Sequence, residues 1–142
     1  MAQQETEQTA ISVVAAAVVE GGRLLVVSKK AAPEVFYLPG GKPEPGESPE
    51  RTLLRELDEE LGVVPSGLEL LAEVEDVAAL EGVPMRMTVY AARLDGRPEP
   101  AAELAGMRWT DGGDSPGVRL APAVSGQVVP LLRELGWLGP RA

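Results

Sequence analysis

The sequence predicts an α/β domain of the layered α+β kind, and three observations predict it. Several β-rich runs are separated by glycine and proline turns, a strongly amphipathic helix lies among them, and a second helical pattern closes the chain. The 142 residues, 44% of them hydrophobic, suffice for one domain with a real core. Residues 1–10, rich in Gln, Glu and Thr, read as a mobile tail ahead of a single domain over residues 11–139.

The elements follow in order. Ser12 to Val19 and Arg23 to Ser28 are β-rich and meet at Gly21-Gly22, a hairpin signal. Ala15 to Ala17 shows no polar alternation, which predicts burial on both faces of that strand. A loop is expected at Ala31 to Glu34, then a short strand, Phe36-Tyr37-Leu38, entering the Pro39-Gly40-Gly41 turn. Ser48 and Pro49 suit an N-cap and first helical position, because the serine oxygen accepts an orphan amide and proline has none to leave unpaired. Leu53, Leu57 and Leu61 then recur one turn apart, with Leu54 alongside, and Gly62 supplies the stop. Downstream, Leu68 to Val77 and Met85 to Leu94 read as strands around a turn at Leu80 to Pro84. Arg97 to Pro100 reads as a loop, Met107 to Thr110 as the last strand, and Asp111 to Gly117 as a glycine-rich loop. In the terminal helix, Val128, Leu131, Leu132 and Leu135 have helical spacing, and Pro130 implies a kink or a late start.

The chemistry concentrates on the central helix. At about 100° per residue, Glu56, Glu59 and Glu60 fall within roughly 100° of one another, beside the leucine stripe. An acidic helix face is ordinarily just solvated, yet like charges at i and i+4 repel, and Arg55 offsets only part of that through Glu59. A divalent cation accounts for the cluster better, since oxygen-only donors suit Mg²⁺ or Mn²⁺. The chain has no Cys, His or Asn, which excludes disulfides, thiolate or imidazole zinc sites, cysteine nucleophiles and histidine bases. A net charge of −9 argues against nucleic acid as a partner and would repel a phosphate substrate as well, unless metal bridges the two. No run approaches a membrane span, and Met1 to Ala10 lacks the pattern of a signal peptide, so a soluble cytoplasmic protein, monomer or homodimer, is expected.

Gly41 to Val63, GKPEPGESPERTLLRELDEELGV, reads G-x5-E-x7-R-E-U-x-E-E-x-G-U with U aliphatic. This segment, with the preceding Leu38-Pro39-Gly40, resembles the Nudix hydrolases over the whole of their box. The resemblance implies an α/β/α sandwich, a mixed sheet between helices with the box as loop, helix and loop. It implies that Glu56, Glu59 and Glu60 ligate catalytic Mg²⁺, with the Gly40 carbonyl as a further ligand. Arg55 would orient a neighbouring glutamate, either Glu47 through the guanidinium fork or Glu59 one turn on. A further acid, Glu103 ahead of Glu99, would serve as ligand or base, the other reading being a solvated loop acid. Lys29 and Lys30 would lie against the substrate phosphates or form a plain surface pair. Phe36, Tyr37 and Trp109 would stack on a base or belong to the core.

The implied reaction is hydrolysis of a pyrophosphate linkage in a nucleoside diphosphate derivative, with metal neutralising charge and a glutamate taking the proton from water. The small size resembles MutT-type enzymes, which convert a nucleoside triphosphate to the monophosphate and pyrophosphate. Those selective for 8-oxoguanine use an asparagine near the base; here Ser125, Gln127 or a backbone group would have to replace it. ADP-ribose, nucleotide sugars and dinucleoside polyphosphates are alternative substrates, and a non-catalytic, nucleotide-binding regulatory module is the competing class.

Overall fold

The computed structural model describes residues 10–113 and 115–138. All but residue 10 of the tail expected over residues 1–10, and the last residue of the expected domain, lie outside the described residues. Strands β1 (Ile11–Ala17) and β2 (Val19–Glu20) lead through the Gly21-Gly22 turn to β3 (Arg23–Lys29), β4 (Ala32–Tyr37) and β5 (Gly40–Gly41). Helix α1 (Pro49–Leu61) is followed by β6 (Val64–Val77), β7 (Pro84–Asp95), β8 (Leu104–Thr110) and β9 (Arg119–Leu120). A π-helical turn, Val124–Val128, runs into α2 (Val129–Glu134).

The strands form two sheets. The first has the order β5-β1-β7-β6 and is mixed: β1 and β7 run parallel, and the remaining neighbours are antiparallel. The second has the order β2-β3-β4-β9, with β8 pairing antiparallel along β3. Two apolar cores flank the sheets, which is why β1 shows no polar alternation. Val14, Ala16 and Val18 pack with Leu25, Val27 and the α1 leucines, whereas Ala15 and Ala17 pack with Leu24, Val26 and the helical end of the chain, Val128 and Leu132 among it. One helix thus covers each side, and the α+β layering expected from the sequence is realised.

The box helix forms as its sequence dictates. Ser48 Oγ accepts the Arg51 amide at 3.2 Å, Pro49 opens the helix, and Gly62 ends it at φ 67° with its amide on the Asp58 carbonyl. Leu53, Leu57 and Leu61 are all but fully buried. Leu54 is not: it is 42% exposed, because a single helix face meets the sheet and the residue beside the stripe turns outward.

Other expectations need correcting. Ala31 to Glu34 is not a loop; β4 begins at Ala32, and Pro33 and Glu34 occupy the irregular stretch of its pairing with β3, between the Lys29↔Ala32 and Val27↔Tyr37 registers. Met107 to Thr110 belongs to a longer strand and is not the last, since Arg119–Leu120 pairs parallel with β4. Two residues are too short to leave a periodicity. Pro130 falls in the first turn of α2, but it marks no late start, since the helical turn Val124–Val128 runs directly into it. Leu135 is exposed beyond it.

Candidate active site

Arg55 organises the loop that leads into α1. Its Nε and Nη2 donate to the two oxygens of Glu47, each at 2.8 Å, in a guanidinium–carboxylate fork. Nη1 reaches Glu56 Oε2 at 2.9 Å, and Nη2 also donates to the Lys42 carbonyl at 3.0 Å. Glu47 accepts further from Thr52 Oγ1 and the Glu44 amide. The Arg55 hydrogen bond is the largest influence on Glu47 and helps hold its carboxyl down to about 2. Glu59 stands 3.8 Å from the guanidinium with its side chain 58% exposed, so of the two partners open to Arg55 the fork goes to Glu47.

Gly40 and Gly41 bring the backbone against β1 and α1. Gly40 lies at φ 148°, and a Cβ there would strike the Val14 carbonyl; at Gly41 a Cβ would occupy the place of the Glu56 carboxylate. Only glycines permit both approaches. Glu60 is buried, 6% exposed, and its Oε1 has no hydrogen-bond partner among the described residues. Burial first, then the charge of Glu56, pushes its carboxyl up to about 7, against a backbone hydrogen bond from Gly40 and the charge of Lys29. Burial likewise raises Glu56, and Arg55 opposes it.

These groups line a cleft of about 310 Å³. Glu56, Glu60, Gly40, Gly41 and Lys42 form one end, and Lys29, Tyr37 and Glu103 stand beside them, with Lys29 Nζ 4.0 Å from Glu103 Oε1. The rest of the wall is mostly apolar, built from β1, Met85 and Met87 of β7, and Ala121, Ala123 and Val124, with Leu80 and Glu81 at the β6–β7 turn. Glu59 and Lys30 are exposed and are not part of the wall. Phe36 is buried in the core with the Arg108 guanidinium 5.7 Å from its ring centre, and Trp109 packs against the α1 side of the core. Glu99 is exposed outside the cleft, Ser125 bonds back to the Ala121 carbonyl, and Gln127 is held by Glu75 and Asp76. Sequence reasoning missed Lys42, Glu81 and the two methionines. Lys42 adjoins Gly41 and was open to the same argument from proximity, whereas the others reach the site only through tertiary folding.

Among the described residues no three acids stand together as a ready-made cation cage. The oxygen donors Glu56 and Glu60, the orphaned Glu60 Oε1 and the space left by Gly41 nevertheless suit a hard divalent cation that completes its shell from substrate and water. Gly41→Ala is expected to lower kcat about tenfold with little change in Tm, because the methyl group displaces the Glu56 carboxylate rather than the core. Steady-state kinetics alongside thermal melting would check this, and unchanged kcat would dissociate Glu56 from turnover.

The model of the NUDIX domain matches residues 8–127. The chain belongs to the Nudix hydrolase family. It is therefore an enzyme acting on phosphoric anhydride bonds, and relatives of known sequence and structure agree. This Nudix hydrolase is 34% identical over 126 residues to a Mycobacterium tuberculosis protein provisionally named 8-oxo-dGTP diphosphatase 2, covering 87% of this chain and 89% of the relative. A MutT Nudix hydrolase from Burkholderia pseudomallei superposes with a TM-score of 0.70 at 32% identity, over 82% of this chain and 94% of the other. The E. coli ORF135 protein superposes at 0.67 with 27% identity, over 89% of each chain. No helix among the described residues of the hydrolase is long and apolar enough to cross a membrane.

Proposed function

We propose that this hydrolase is a Mg²⁺-dependent, MutT-like pyrophosphohydrolase that converts a nucleoside triphosphate to the monophosphate and pyrophosphate, acting in the cytoplasm through a single domain over residues 11–139. The observation that carries this reading is the buried Glu60 beside the partly exposed Glu56, against Gly40-Gly41, with one Glu60 oxygen unpartnered among the described residues in a nucleotide-sized cleft. The name of the Mycobacterium relative favours 8-oxo-dGTP as the first substrate to try. Because the chain has no asparagine, and Ser125 and Gln127 are engaged elsewhere, base selection would have to use other groups.

In this mechanism Glu56, Glu60, Glu59 and the Gly40 carbonyl would be the residues that hold the cation. Mg²⁺, or Mn²⁺ in its place, supplies charge neutralisation at the phosphate oxygens when bound. Arg55 fixes Glu56 with one arm while its fork on Glu47 anchors the loop, so the carboxylate is oriented before substrate arrives. Lys29 faces the phosphates with Glu103 restraining its ammonium group. Glu60 accepts a proton as water oxygen bonds to phosphorus and the anhydride P–O bond breaks, leaving two phosphorylated products.

Product identification after incubation with nucleoside triphosphates, 8-oxo-dGTP, ADP-ribose, nucleotide sugars and dinucleoside polyphosphates tests the assignment. Monophosphate and pyrophosphate from a triphosphate are expected; exclusive cleavage of ADP-ribose or a sugar nucleotide would replace it. The pH profile provides a further test. A base must be ionised to work, and protons compete with the cation for the Glu56 and Glu60 carboxylates, so kcat/KM should climb from acid pH towards neutrality and stay high on the alkaline side. With no histidine in the chain, an acidic optimum falling away above pH 6.5 would contradict this inventory.

A further inference from the structure

Among the described residues, Tyr37 is the one uncharged hydrogen-bonding side chain in the wall of the cleft. It follows Phe36 on β4, so alternation along the strand sends Phe36 into the core and Tyr37 to the other face, where its ring packs against both apolar cores. Its hydroxyl is buried and has no hydrogen-bond partner among the described residues. Such a group is costly to bury unpaired. Three carboxylates, Glu60, Glu103 and Glu81, are near enough to disfavour its ionisation, after burial itself, yet none accepts its proton in a hydrogen bond. The phenol therefore remains a donor at any working pH, and the partner it lacks must come from the cleft it lines.

We propose that the Tyr37 hydroxyl is a binding group that donates a hydrogen bond to an unprotonated oxygen of the bound nucleotide. The chemistry fits two such oxygens, a non-bridging phosphate oxygen at the Glu60 end or a carbonyl of the base towards the apolar wall. Both are acceptors only, and the acids around the hydroxyl would repel an anion or a carbonyl lone pair that had no donor to meet it. Tyr37 then supplies substrate affinity rather than stability. This rests on the nucleotide reading above, but not on turnover.

The test titrates the non-hydrolysable α,β-imido analogues of dGTP and dATP, with Mg²⁺, into the parent and Tyr37→Phe, and melts both proteins without ligand. The variant should bind about tenfold more weakly, the worth of one hydrogen bond to a polar acceptor, while its Tm stays equal or rises because an unpaired buried hydroxyl is gone. Equal loss for both analogues assigns the bond to a phosphate oxygen, and loss confined to dGTP assigns it to the base carbonyl; either supports the proposal. Unchanged affinity for both overturns it, and so does a marked fall in Tm, which would mean the hydroxyl is already bonded in the free protein. Binding of the analogues without turnover of any nucleoside triphosphate, 8-oxo-dGTP included, by the parent would sink the hydrolytic reading alone, whereas no binding to the parent would overturn both.

Discussion

Glu60→Gln should lower kcat at least about 10²-fold while the protein stays folded, since it removes a charged oxygen donor and the proton acceptor from a preorganised site. Near-normal Mg²⁺-dependent turnover in that variant would refute the role given to the Glu56–Glu60 pair. The same residue makes stability depend on pH in the absence of metal. Its folded carboxyl titrates at about 7 against an ordinary value of 4.5, so the unfolded chain releases this proton first. The native state accordingly holds its full stability below about pH 4.5 with respect to this group and loses it progressively as pH rises through 7. The loss is on the order of 3 kcal/mol at saturation. Glu47 contributes in the opposite sense: held at about 2, it gives stability above the ordinary carboxylate range and withdraws it as pH falls through that value. Metal-free Glu60→Gln should therefore melt above the parent at pH 8 and close to it at pH 5. A parent whose Tm is flat between those pH values would mean that Glu60 is not buried as an unpaired acid.

The box was legible because its determinants are local. A cap, a proline, leucines one turn apart and a terminal glycine all lie within one helix, and the Arg55–Glu47 fork joins residues of the same short segment. Burial of β1 on both faces was likewise readable from its missing alternation. Other features were decided at a distance. Nothing local separates Lys29 from Lys30, but β3 ends at Lys29, whose side chain reaches the cleft, and leaves Lys30 exposed in the turn. Phe36 and Tyr37 were equal candidates for the substrate until their places on opposite faces of β4 sent one into the core. The apolar wall is brought together from β7, the β6–β7 turn and residues 121–124, and no spacing in the chain announces that meeting. Arg119–Leu120 becomes a strand only because β4 offers it a free side.

Leu57→Ala should separate the fold from the site on one helix. Leu57 is fully buried among Leu53, Leu61 and the inward residues of β1 and β3, so truncation is expected to cost about 2 to 5 kcal/mol. Its neighbours Glu56 and Glu60 point instead into the cleft. Mg²⁺ or Mn²⁺ binding only to the native state should raise Tm, and more at pH 8 than at pH 5, because the ion competes with protons for the same carboxylates. The metal-induced gain should persist in the folded fraction of Leu57→Ala, where the site is intact. It should shrink in Glu56→Gln and Glu60→Gln, which without metal should be at least as stable as the parent because two neighbouring carboxylates no longer face each other. Melting curves of the four proteins with and without cation check all of this together. If the glutamine variants unfold and no cation shifts any Tm, the acids serve the fold rather than an ion, and the hydrolytic mechanism loses the residues on which it depends.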